Sequence, residues 1–257
     1  MAETTLITFP PSLDSELSRF LLVHYRIPHR ERRHVIIFSS LYSLRHGFTV
    51  RFPFLYGDSY RLNTVREIID YFDPRAPDER KLLPPGDDRR KLDADWAFFN
   101  GRLGSATSVF GYYHLLPHRE IMIEPLSGGA PPLEKSAVRN AYPVFAGLLR
   151  LLLRLDSTRA QQALAEIRTV MRAVDERLAD GRQYLMGDHF SLSDMAFAVA
   201  AAPVVFPDSY GGGNTLPPLA DAPPEMQAVA EELRALPSGQ LALRIYRERR
   251  TPDVTHG

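Results

Sequence analysis

The longest uninterrupted apolar run of the helical half lies between Met195 and Val205, where no charged side chain occurs. A helix apolar on every face is buried on every face, and one this short cannot cross a bilayer. Its start is written into the residues before it. Ser191-Leu192-Ser193-Asp194 has the spacing of a capping box, and Phe190 with Met195 has the spacing of a hydrophobic staple. The pattern therefore predicts a well-capped central helix. Upstream, the periodicity is of a different kind. Residues 4–9 read as a strand stopped by Pro10-Pro11, and residues 15–25 as a helix with Leu17, Phe20, Leu21 and Leu22 on one side, ended by Ile27-Pro28. Ser12 or Ser15 is placed to cap that helix. A second strand is predicted over 34–38, and an irregular stretch with room for one short helix over 39–51. Gly57-Asp58 between two apolar runs predicts a hairpin of 52–56 and 59–62. Val65, Ile68, Ile69 and Phe72 mark the apolar side of a following helix over 64–71.

Strand, helix, strand, hairpin and helix make an α/β unit. Residues 75–86, rich in proline and charge, read as a linker, so the predicted organisation is an N-terminal α/β domain over 1–74 and an all-α domain over 87–250, with a tail over 251–257. The predicted C-terminal helices cover 87–116, 136–155, 158–180, the capped segment, 225–236 and 239–249. The Gly- and Pro-rich segments 117–132 and 206–224 read as surface loops.

Composition narrows the chemistry. The 257 residues carry 31 Lys+Arg against 31 Asp+Glu, which gives no electrostatic case for nucleic acid or an anionic surface. With no cysteine there is no disulfide, thiolate metal site or protein thiol nucleophile, so any sulfur chemistry must come from a ligand. His114 is isolated, and no histidine or carboxylate spacing suggests a metal site. No apolar segment is long enough to span a membrane, and a cytoplasmic protein is expected.

The Gly-Asp loop, the aromatic, Ser-x-x-Asp and the apolar helix together resemble the hallmark segment of soluble glutathione transferases. Two earlier stretches resemble the same family: Phe52-Pro53-Phe54-Leu55, similar to its cis-proline segment before the third strand, and residues 62–73, similar to its helix that receives the γ-glutamyl carboxylate. The resemblance is to the family's bacterial-type, serine-like members, with a divergent glutathione-site motif. It implies a thioredoxin-like N-terminal domain, an all-helical C-terminal domain, a homodimer and glutathione as co-substrate, with no metal. It further implies attack of the glutathione thiolate on a small apolar electrophile, as in detoxification. Phe52 and Pro53 would face the cysteinyl part, and Thr64 and Val65 the γ-glutamyl part. Thr8 stands where tyrosine-type members carry their hydroxyl, so the donor expected here is Ser12, with Ser15 as the alternative; helix capping competes for both. Thr64-Val65 replaces the usual acidic residue or glutamine followed by serine, which leaves open a non-catalytic member that has lost tripeptide recognition. Isomerase, lyase and peroxidase chemistry are not distinguished from transfer. The second substrate is expected against the long helix, with Phe99, Phe110 and Tyr113 as its wall, although an aromatic stripe at helical spacing is more often core than binding wall.

Overall fold

The computed structural model describes residues 4–45, 53–84, 88–213 and 215–250. Strands β1 (Thr4–Thr8), β2 (His29–Arg33), β3 (Phe54–Tyr56) and β4 (Arg61–Leu62) form one sheet of order β2-β1-β3-β4. β2 runs parallel to β1, while β3 and β4 are antiparallel. Helices α1 (Leu13–His24) and α3 (Val65–Phe72) pack together, burying Leu17, Phe20, Leu21, Ile68 and Ile69, and α2 (Ile36–Arg45) follows β2. This is the expected α/β unit, with one displacement. The strand predicted over 34–38 lies at 29–33, in the charged stretch His-Arg-Glu-Arg-Arg, and the apolar Ile36-Ile37-Phe38 opens α2 instead. An edge strand can carry charge, and Glu31 finds cationic partners on the protein side of the sheet.

The C-terminal part is all helical. α4 (Asp88–Trp96), a π-helical segment (Ala97–Leu103) and α5 (Gly104–Leu115) follow one another directly. Next come α6 (Arg119–Ser127), α7 (Pro132–Asn140), α8 (Tyr142–Leu153), α9 (Ser157–Leu178), α10 (Leu192–Val205), α11 (Pro224–Arg234) and α12 (Pro237–Arg249). The surface loop expected over 117–132 is largely the helix α6, which ends two residues after Pro125, the position where the amide that would donate to Ile121 O is missing. The single helix expected over 136–155 is broken at Ala141, with Pro143 in the first turn of α8. Among the described residues no helix is long and apolar enough to cross a membrane.

α10 is the central helix, buried on nearly every residue. The Asp194 carboxylate accepts from the Ser191 amide (2.9 Å), the Ser191 hydroxyl (2.7 Å) and the Leu185 amide (2.7 Å), so one side chain fixes both the helix start and the loop before it. Residues between the two parts are also pinned. Asp73 Oδ1 accepts from the Tyr25 hydroxyl (2.9 Å) and the Leu82 amide (2.6 Å), and the Leu192 amide donates to Leu82 O (3.1 Å).

A buried ionic chain ties α1 and β2 to the far end of the molecule. Glu16 meets Arg250 (3.0 Å) and Arg19 (3.3 Å), Arg19 meets Glu31 (2.8 Å), and Glu31 meets Arg33 (3.0 Å). Glu16 also accepts from the Gly211 amide (2.9 Å), and Arg33 donates to Gly211 O (2.9 Å). Burial pushes the Glu31 carboxyl up, but the Arg19 and Arg33 guanidiniums outweigh it and hold the group down at about 2. A folded value below the ordinary 4.5 stabilises the fold above pH 4.5 and loses that contribution as pH falls toward 2. Urea unfolding across that window should therefore show falling stability on acidification, and Glu31→Gln should flatten the fall; an unchanged slope would contradict this role.

Candidate functional site at the sheet edge and interdomain cleft

Strand register decides which segments meet. Ile7 pairs with Phe54 and Leu55 with Leu62, so the end of β1, the start of β3 and the end of β4 lie at one edge of the sheet. The chain leaving β1 carries Ser12, the residue before β3 is Pro53, and the residues after β4 lead to Thr64. Three of the segments expected to hold the tripeptide therefore converge at one edge. Phe52 lies outside the described residues. Pro53 is buried beside Phe54, and Val65 is buried in the α3–α1 contact.

The two candidate serines separate cleanly. Ser15 is fully buried, and its hydroxyl oxygen accepts from the Phe9 amide (3.2 Å), closing the turn after β1. It does not face open space. Ser12 is the N-cap of α1: its oxygen accepts from the Ser15 amide at 3.4 Å, while its side chain lines an open cleft of about 680 Å³. Capping uses the oxygen as acceptor and leaves the hydroxyl proton to donate, so the two roles that competed in the sequence are compatible. The Pro10-Pro11 turn before it is held from beneath: Arg19 donates to Pro10 O (3.3 Å) and Tyr210 to Pro11 O (3.2 Å). The buried ionic chain thus reaches the backbone that presents Ser12.

The cleft is lined from the N-terminal side by Phe9, Pro11, Ser12, Leu13, Asp14 and Ile36. Asn100, Gly104, Ser105, Ser108, Val109 and Tyr112 form a second wall, one face of the π segment and α5, spanning about 18 Å at 1.5 Å per residue. Leu149, Leu152 and Leu153 of α8, with Arg154 and Arg159, complete it. Burial raises the Asp14 carboxyl above its ordinary value against a hydrogen bond with Asn100 that lowers it.

The aromatic residues expected to form the cleft wall are elsewhere. Phe99 is buried against Phe197 (5.3 Å between rings), Phe110 is buried beside His114 (4.6 Å), and Tyr113 lines a separate surface hollow. The π segment adds a residue to its turn and rotates the helix phase, sending Phe99, Leu103 and Phe110 to the core and the small polar residues to the cleft. Tyr112, on the long helix expected to face the second substrate, does line the cleft, whereas Asp14, Asn100 and the α8 leucines carry no such expectation. A run as polar as Asn100, Ser105 and Ser108 on an otherwise buried helix is the one signal that pointed to them.

At the α3 tip, Thr64 Oγ1 accepts from the Glu67 amide (3.1 Å), and Glu67 Oε2 accepts from the Asn63 amide (2.5 Å). Thr64-Val65-Arg66-Glu67 is a capping motif in its own right. Amides at a helix start form an anion site, and here the chain's own carboxylate shares it.

These features belong to a two-part class: a mixed four-stranded α/β unit joined to a helical bundle, with an open cleft between them. Residues 157–232 match the family model for the glutathione S-transferase C-terminal domain. Solved structures with this fold include a glutathione S-transferase of Ceriporiopsis subvermispora in complex with glutathione (16% identity, 98% of this chain and 99% of that one, TM-score 0.61). Others are glutathione transferase F2 from Populus trichocarpa (13%, 95% and 99%, 0.56) and a glutathione S-transferase from Sinorhizobium meliloti 1021 (19%, 99% and 97%, 0.55). No curated protein matches the chain. Residues 157–232 are thus similar to that family's C-terminal domain, and the whole chain has the fold of the solved glutathione transferases.

Proposed function

We propose that this protein is a glutathione-dependent transferase of the serine-like kind. The tripeptide lies along the sheet edge with its γ-glutamyl end toward Thr64 and the α3 tip, its cysteinyl part beside Pro53, and its sulfur toward Ser12. The Ser12 hydroxyl donates to the thiolate, and the helix start behind it favours the negative charge. An apolar electrophile enters the cleft and is attacked there, so catalysis rests on thiol activation and positioning. The observation that carries the reading is the convergence of the Ser12 turn, Pro53 and Thr64 on one edge, with Ser12 opening into the cleft. A homodimer through the 87–113 edge belongs to the same reading.

The Glu67 carboxylate at the α3 tip favours a second reading, a binding module that no longer takes glutathione. Calorimetric titration separates the two. The transferase reading expects wild-type binding, tightened about two- to fivefold by Glu67→Gln, because a like charge near a helix start is worth about 0.3–1 kcal/mol. Absence of binding in both proteins would favour the second.

A further inference from the structure

The α8–α9 side of the cleft carries a feature that an apolar electrophile does not use. Arg154 is the C-cap of α8 with φ 51° and ψ 50°, the left-handed conformation for which glycine or asparagine is the ordinary choice. An arginine stands there instead, and it lines the cleft together with Arg159 from the first turn of α9. Among the described residues neither guanidinium has a hydrogen-bond or ion-pair partner, as is also true of Arg139, Arg150, Arg172 and Arg247, whereas Arg102, Arg168 and Arg177 each have one. The pairs Asp95–Arg177 and Arg102–Glu166 show that α9 runs antiparallel to the α4–α5 run. Continued along the helices, that register sets Arg159 toward the Val109–Tyr112 end of the cleft, away from Asp14 and Asn100. Leu149, Leu152 and Leu153 line the cleft with the arginines, and Leu152 is 59% exposed.

We propose that the cleft takes an amphipathic anion as its second substrate: an apolar body along Leu149, Leu152 and Leu153, with a carboxylate or similar group at Arg154 and Arg159. Calling this molecule a second substrate rests on the function proposed above, but the binding claim stands on the cleft alone. A leucine wall ending in two unpaired guanidiniums selects a molecule with that division of polarity.

Octanoate and 1-octanol, which share an apolar chain and differ in charge, test it by calorimetry in the absence of glutathione. Octanoate should bind the full chain about tenfold more tightly than the alcohol at low salt, and the preference should shrink as salt rises. The Arg154→Gly/Arg159→Gln double variant should lose the preference and keep its affinity for the alcohol. Arg154→Gly alone should keep or raise the melting temperature, because glycine suits the left-handed cap, so weaker octanoate binding in that variant is not a folding defect. Equal affinities in the wild type, or a preference that survives in the double variant, overturns the proposal. So does a double variant that loses glutathione affinity while octanoate binding is unchanged, since the arginines would then serve the tripeptide. A wild type that selects octanoate and ignores glutathione supports this site and removes the transferase reading.

Discussion

Glu16→Ala should destabilise the protein by about 3–5 kcal/mol, the cost of removing one partner from a buried ion pair. Glu16 is fully buried, and it is the shared counter-charge of Arg19 and Arg250 and the acceptor for the Gly211 amide. Its loss leaves Arg250, itself 2% exposed, without this carboxylate and strands a buried N–H. Arg19 keeps Glu31 but has one terminal nitrogen already without a partner, so it has little to fall back on. Against a typical total of about 5–15 kcal/mol this is a large fraction, equivalent to a fall of about 10 °C in Tm for a chain of this size. The contrast is Arg168–Glu232, whose side chains are 45% and 42% exposed; breaking it should cost under about 1 kcal/mol. Urea unfolding of Glu16→Ala and Arg168→Ala measures both. Equal small effects would show that the buried chain does not hold the domains together.

Ser12→Ala carries the second large effect. An ordinary thiol with a pKa of about 8.5 must be lowered by roughly two units, about 2.7 kcal/mol, before its thiolate dominates at neutral pH. A hydroxyl donating to the charged sulfur supplies part of that, about 1.5–3 kcal/mol for a hydrogen bond to a charged group. Turnover should therefore fall about 10- to 100-fold, while glutathione affinity changes by less than about threefold, the split expected when an interaction matters to the thiolate and little to binding. Removing the side chain also removes a cap worth about 1 kcal/mol, so Ser12→Gly, which has no donor and costs a helix start only about a few tenths of a kcal/mol, is the control. Unchanged turnover in either variant would end the assignment.

The parts legible in the sequence were those with local, short-range causes. The Ser191–Asp194 start, the apolar α10, the Gly57-Asp58 hairpin and the α3 face each follow from spacing within a few residues, and each is present. The errors arose where tertiary partners overrule local preference. His29–Arg33 is a strand because it can pair with β1 and because Glu31 meets Arg19 and Arg33, facts invisible in a stretch of charges. Phe99 and Phe110 lie in the core, as an aromatic stripe at helical spacing more often does, and the π segment that sets their phase has no simple sequence mark. Ser12 and Ser15 could not be told apart by type or spacing. Only their surroundings, an open cleft for one and a closed turn for the other, distinguish them.

The ultraviolet difference spectrum of glutathione added at neutral pH addresses the central claim most directly, because ionised and neutral thiols absorb differently. A thiolate band with the wild type, lost in Ser12→Ala under conditions where calorimetry still shows the tripeptide bound, is the result expected here. A wild type that binds glutathione with its thiol fully protonated, or does not bind it at all, would contradict the assignment of this sheet edge as a thiol-activating site.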